Sequence, residues 1–118
     1  MNTRKTGAEY EQIAAEYLQE KGYHILERNF RCRYGEIDLI AEQGETLVYV
    51  EIKYRGSMRC GNPLEAVDSK KQRRICKTAM YYYTYHGYEA ERPCRFDVIG
   101  IDGNGAIMHL ENAFEFHT

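Results

Sequence analysis

Three charged residues stand inside apolar runs that leave no ordinary place for charge. Asp38 lies within Gly35-Glu36-Ile37-Asp38-Leu39-Ile40, and Glu51 and Lys53 end the run Leu47-Val48-Tyr49-Val50-Glu51-Ile52-Lys53. An ionised group in a core is costly unless it is paired or binds a metal. Both runs read as strands, rich in β-branched and aliphatic residues, with a turn at Gln43-Gly44 between them. Side chains alternate along a strand, so Glu36 shares a face with Asp38, and Glu51 with Lys53. In ordinary hairpin register Asp38 and Glu51 face the same side. Two carboxylates within reach of one ion form a hard-oxygen site suited to Mg²⁺ or Mn²⁺, with the backbone carbonyl of Ile52 as a further ligand. Lys53 would place positive charge beside a phosphate, or orient or deprotonate an attacking water. The chemistry so assembled is phosphodiester hydrolysis, with the metal acidifying the water and stabilising the leaving oxygen. The same spacing also fits a buried ion pair without catalytic purpose, since Asp…Glu-x-Lys arises often by chance.

The elements that must position these groups follow from periodicity. Residues 3–21 predict a helix, with Tyr10, Ile13, Ala14, Tyr17 and Leu18 at helical spacing, Thr3 or Thr6 as cap and Gly22 as stop. Glu11 falls on its apolar side. Spacing alone leaves Glu11 between an edge glutamate whose head reaches water and a site residue. A first strand is expected over 23–30, a basic turn over Arg31-Cys32-Arg33-Tyr34, and then the central hairpin from Gly35 to about Tyr54, covered on both faces. Residues 55–62 form a loop that leaves directly from Lys53. Asn62-Pro63 and Ser69 with Gln72 are successive capping signals, so the following helix is broken near Asp68 and runs to about His86, ended by Gly87. A strand over 94–101, the turn Asp102-Gly103-Asn104-Gly105 and a short strand 107–110 close the chain. The expected architecture is an α/β protein (α+β, mixed sheet) in the order α-β-β-β-α-β-β, one domain spanning 1–118.

A chain of 118 residues can bury one core, and 43% hydrophobic with 29% charged residues is ordinary for a soluble domain. The polar start Met1-Asn2-Thr3-Arg4-Lys5 carries no apolar signal core, and no apolar run reaches the roughly 20 residues of a membrane span. A reducing cytoplasm is therefore expected, with Cys32, Cys60, Cys76 and Cys94 as free thiols. The four histidines are scattered and read as surface or packing residues.

A net charge of −2 gives no global basic signal, but charge is locally clustered. Lys70, Lys71, Arg73, Arg74 and Lys77 open the second helix, with 70, 73, 74 and 77 on one stripe. Arg4, Lys5, Arg31, Arg33, Arg55 and Arg59 extend a basic surface. Such cations bind nucleic-acid phosphate without reading sequence. A solvated helix face is the plainer alternative. Tyr81, Tyr82, Tyr83, Tyr85 and Tyr88 exceed what one buried face holds. They can stack on unpaired bases, form a homodimer interface, or pack in the core.

Taken together, the motifs carry a resemblance. Gly35-Glu36-Ile37-Asp38-Leu39-Ile40 and Val48-Tyr49-Val50-Glu51-Ile52-Lys53-Tyr54-Arg55 are joined by Ala14-Ala15-Glu16-Tyr17-Leu18, Gly61-Asn62-Pro63-Leu64-Glu65-Ala66-Val67, Lys71-Gln72-Arg73-Arg74 and Arg95-Phe96-Asp97-Val98. This set resembles the bacterial YraN family (UPF0102), a branch of the PD-(D/E)XK, restriction-endonuclease-like nucleases close to archaeal Holliday junction resolvases. The resemblance implies a mixed sheet flanked by helices with the metal site at the end of the central hairpin. It implies Asp38 and Glu51 as metal ligands and Lys53 as the catalytic lysine. The resolvase-like branch adds a helix glutamate, which Gly7 and Glu11 match, and this favours Glu11 as a site residue and metal neighbour. Glu36, on the same strand face as Asp38, is expected either on the rim or in contact with the substrate. Branched or structured DNA is the implied substrate and a homodimer the implied assembly. The alternative is a non-catalytic nucleic-acid-binding accessory protein of the same fold.

Overall fold

A computed structural model of the chain describes residues 6–55, 63–87 and 92–117. Arg4, Lys5, Arg59, Cys60, Tyr88 and the expected loop after residue 55 lie outside the described residues, as does the side chain of Arg55. The elements are α1 (Gly7–Glu20), β1 (His24–Cys32), β2 (Gly35–Gln43), β3 (Thr46–Arg55), a 3-10 turn (Pro63–Ala66), α2 (Ser69–Tyr85), β4 (Cys94–Asp102) and β5 (Ile107–Phe114). The expected order of helices and strands is the observed one.

Local chemistry sets the helix ends. Thr6 caps α1: its hydroxyl accepts the Glu9 N–H at 3.2 Å, and the Glu9 carboxylate accepts the Thr6 N–H at 3.0 Å. Asp68 rather than Ser69 caps α2, because its carboxylate accepts the Lys71 N–H at 2.8 Å and leaves Ser69 as the first helical residue. The basic turn is shorter than expected, since β1 runs through Cys32 and only Arg33 and Tyr34 turn the chain. The central hairpin turns at Gly44-Glu45, one residue later than the expected position. The last strand continues to Phe114, which stacks on Phe96 at 5.0 Å instead of trailing in a tail.

The sheet order is β1-β2-β3-β4-β5. All neighbours are antiparallel except β3 and β4, which are parallel and joined by the crossover through α2. Helix α1 covers one face with Tyr10, Ala14, Ala15 and Leu18 over Leu39, Ala41, Val48, Val50, Ile99 and Ile101. Helix α2 covers the other with Ile75, Cys76, Ala79 and Tyr82 over Ile40, Leu47, Tyr49, Phe96 and Val98. The central strands are therefore buried on both faces, which is why their sequences are continuous apolar runs. Burying Leu18 completely contributes on the order of 2 kcal/mol. Gly35 starts β2 at φ 153°, and an added Cβ would lie 3.2 Å from Thr78 Oγ1. Its bareness lets the β1–β2 turn sit close against α2. The outer strands are each interrupted: β1 shifts register between Ile25 and Glu27 and holds Asn29 at φ 53°, and β5 holds Asn112 at φ 53° beside a register shift between Phe96 and Val98.

Among the described residues no helix is long and apolar enough to cross a membrane. Cys32, Cys76 and Cys94 are free thiols.

Candidate active site

The β2–β3 ladder pairs Gln43 with Thr46 through to Leu39 with Val50 and stops there. On their outer sides both strands stay paired, β2 with β1 as far as Cys32–Gly35 and β3 with β4 as far as Arg55–Asp102. The sheet thus opens between its two central strands, at Asp38 and Glu51. Across the opening, Asp38 Oδ2 accepts the Ile52 N–H at 2.8 Å. The N–H and C=O of one strand residue point to the same side, so the Ile52 carbonyl faces the same opening.

The two carboxylates meet there. Burial pushes the Asp38 carboxyl up to about 7, and the neighbouring Glu51 charge pushes it the same way. The Ile52 N–H only partly offsets both. Glu51 is buried, and its Oε2 receives two ammonium groups, Lys53 at 3.3 Å and Lys71 at 2.9 Å. For Lys71 burial works against the charge, but the Glu51 carboxylate outweighs it and holds the ammonium protonated above its usual range. One flank of the opening is thus cationic, and the other holds a carboxyl whose negative charge burial and Glu51 disfavour.

A cleft of about 570 Å³ leads to Asp38. Glu11, Tyr10, Asn29, Arg31, Glu36 and Tyr54 line it, with Tyr10 and Tyr54 in ring contact at 4.7 Å. Helix α1 therefore delivers Glu11 to the cleft that also holds Asp38, and Glu36 stands in it beside them. Arg31 is tied to Glu36 at 3.0 Å.

The donor set suits a small divalent ion. Among the described residues no three carboxylates, histidines or cysteines converge into a metal cage. An ion here would rest on Asp38 and Glu51, with the Ile52 carbonyl, water and substrate oxygens completing its sphere, the sparse protein ligation that Mg²⁺ accepts. Positive charge between the carboxylates would also remove the repulsion that raises Asp38.

The predicted cations divide. Lys70, Arg73, Arg74 and Lys77 are exposed along α2, and none makes an ion pair with a described residue. Arg33 lies over the Tyr34 ring at 5.0 Å. Lys71, grouped with them by sequence, turns inward to Glu51. It lies about 100° around the helix from Lys70, which is the signal that separates it from the stripe.

A second charged cluster was not foreseen. Asp97 is fully buried in β4 and accepts Arg95 Nε at 2.9 Å and Arg95 Nη2 at 3.0 Å. It also accepts the Asn112 N–H at 3.0 Å, and pairs with His109 Nε2 at 2.7 Å. Tyr17 of α1 meets His109 Nδ1 at 3.1 Å, and Tyr23 accepts from Arg95 at 2.7 Å. Burial raises the Asp97 carboxyl, but His109, Arg95 and the Asn112 N–H outweigh it and hold the group below the usual carboxylate range. Both carboxylate oxygens are satisfied, and through Tyr17 and His109 the cluster locks α1, β4 and β5 together.

Comparison with known proteins agrees in one direction. Residues 10–101 match the family described as "Uncharacterised protein family UPF0102". The chain is 46% identical to the UPF0102 protein of Chlorobium chlorochromatii, over 96% of this chain and 93% of that one. It is 49% identical to the UPF0102 protein of Persephonella marina over 92% of each, and 46% identical to that of Lachnoclostridium phytofermentans over 98% and 97%. Among solved structures it is similar to Pyrococcus furiosus SfsA in complex with Ca²⁺, at 16% identity and a TM-score of 0.34, covering 88% of this chain and 61% of that one. A likeness that loose carries no argument.

Proposed function

Because the chain belongs to the UPF0102 family, sharing nearly its whole length with its relatives, we propose that it is a Mg²⁺- or Mn²⁺-dependent endonuclease of the PD-(D/E)XK type acting on branched or structured DNA. The observation that carries the reading is the opening between β2 and β3, where Asp38, Glu51, Lys53 and the Ile52 carbonyl meet at one break in an otherwise paired sheet. A purely structural ion pair has no need of a broken ladder or of a carboxyl raised to about 7.

Asp38 and Glu51 would hold the ion, which would supply acidification of a water and stabilisation of the leaving oxygen. Lys53, paired with Glu51 at 3.3 Å, would stabilise with its ammonium the charge growing on the phosphoryl oxygens and orient the water. Lys71 steadies Glu51 and adds a second positive charge. Glu11 holds water or an outer ligand from the cleft wall. Arg31, Arg33, Lys70, Arg73, Arg74 and Lys77, with Arg55, take the phosphate backbone without reading bases. Two copies of the chain would match a two-fold symmetric junction.

A second reading, a nucleic-acid-binding protein without turnover, draws on one observation: the two lysines already neutralise Glu51. Incubation of the wild type, Glu51→Gln and Lys53→Ala with linear, flapped and four-way DNA and Mg²⁺ or Mn²⁺ separates the two. Cleavage by the wild type that both substitutions abolish supports the nuclease. Binding by all three with no cutting on any substrate assigns the second reading.

A further inference from the structure

Helix α2 contains five cations and no acidic residue. On its outward side Lys70, Arg74, Lys77, Tyr81 and Tyr85 follow one another at spacings of three and four, so they form a single stripe. The stripe is basic where it leaves the active site and aromatic beyond. Tyr81 and Tyr85 are 42% and 73% exposed, with rings 6.3 Å apart and only 10° from parallel. Tyr34 joins them from the β1–β2 turn, 6.4 Å from Tyr81, held in place because bare Gly35 sits tight against Thr78. The near-parallel rings of Tyr81 and Tyr85, with Tyr34 edge-on to Tyr81 at 62°, thus lie beside a row of cations.

We infer that this face binds single-stranded nucleic acid, with phosphates on Lys70, Arg74 and Lys77 and unpaired bases stacked on Tyr34, Tyr81 and Tyr85. The placement rests on the nuclease reading, because Lys71, next to Lys70, contacts Glu51 in the site. Tyr81 lies about 15 Å farther along the axis, at a helical rise of about 1.5 Å per residue. An unpaired strand leaving the opening would cross the cations first and the rings next. A duplex keeps its base faces stacked internally and offers nothing to the rings, so the surface selects for single strands. A second copy of the chain is the poorer occupant. Two-fold contact through this stripe would bring cations together with no carboxylate to meet them, and interface cores are depleted in lysine.

Anisotropy of fluorescein-labelled oligo-dT and of a blunt duplex, measured in EDTA, tests the assignment without any cleavage. Replacing both exposed tyrosines (Tyr81→Ala with Tyr85→Ala) should weaken oligo-dT binding about tenfold or more, the range expected for lost base stacking, and leave duplex binding within about twofold. Tyr81→Phe with Tyr85→Phe should retain single-strand binding, since the rings remain. Lys77→Ala should flatten the salt dependence on oligo-dT by about 0.7 in the log–log slope. Equal losses on both probes, or none, overturn the inference. So does sedimentation showing that the alanine pair converts a dimer to a monomer with oligo-dT binding intact, which gives the face to a second copy. If the wild type binds duplex but not oligo-dT, this inference falls while the nuclease reading stands. Binding to neither also overturns this inference, and the nuclease reading is then decided by the cleavage assay on branched DNA with metal.

Discussion

Asp38→Asn should make the protein more stable and inactive at once. The folded protein holds the Asp38 proton until about pH 7, whereas the unfolded carboxyl releases it near its ordinary 3.8. Between those values the native state binds more protons than the unfolded chain, so stability falls as pH rises through the window. A rise from 3.8 to about 7 corresponds, at ~1.4 kcal/mol per tenfold, to a ceiling of ~4 kcal/mol above pH 7. Water reaches the carboxylate from the cleft, so about 1–3 kcal/mol is the working figure. The amide removes the charge, keeps an oxygen to accept the Ile52 N–H, and ends the repulsion with Glu51. Thermal melts in EDTA should therefore place Asp38→Asn higher than wild type by about 4–10 °C at pH 8. The difference should shrink steadily as pH falls from 7 and vanish below the ordinary 3.8, where Asp38 is neutral in both states. Added Mg²⁺ should raise the wild-type melting temperature by mass action and leave the variant unmoved. An asparagine variant that melts below wild type at pH 8, or a gap that does not change with pH, refutes the picture of a strained, metal-ready carboxylate.

Asp97→Asn should behave in the opposite way, losing about 3–5 kcal/mol in urea unfolding because Arg95 and His109 are left around a neutral group. Lys71→Ala should slow cleavage by at least about tenfold more than Lys70→Ala, since of these two only Lys71 pairs with Glu51 and a charge-assisted hydrogen bond is worth about 1.5–3 kcal/mol; single-turnover rates on the best cleaved substrate decide this.

The strands that carry the site were legible because Asp38, Glu51 and Lys53 interrupt apolar runs, and hairpin register alone puts Asp38 opposite Glu51. The opening itself was not legible. It depends on one side-chain oxygen of β2 taking a backbone N–H of β3, a tertiary choice that no local pattern encodes. Asp97 shows the limit from the other side. It too is a charge in an apolar strand, between Phe96 and Val98, yet Arg95 of its own strand and His109 and the Asn112 N–H of β5 satisfy it completely. What separates a poised charge from a contented one is the company it keeps in space. The tyrosine run was partly legible: the helical arc set by Ile75 and Ala79 takes Tyr82 into the core, at 1% exposure, and turns Tyr81 and Tyr85 outward. Their stacking with Tyr34 required the turn that Gly35 brings in.

Both outermost strands carry an asparagine at positive φ, and each such residue breaks the straight row of backbone donors and acceptors that a free sheet edge would present. Asn29 and Asn112 therefore deny another chain a template for strand addition. A sheet open between its central strands is thereby irregular at both of its margins.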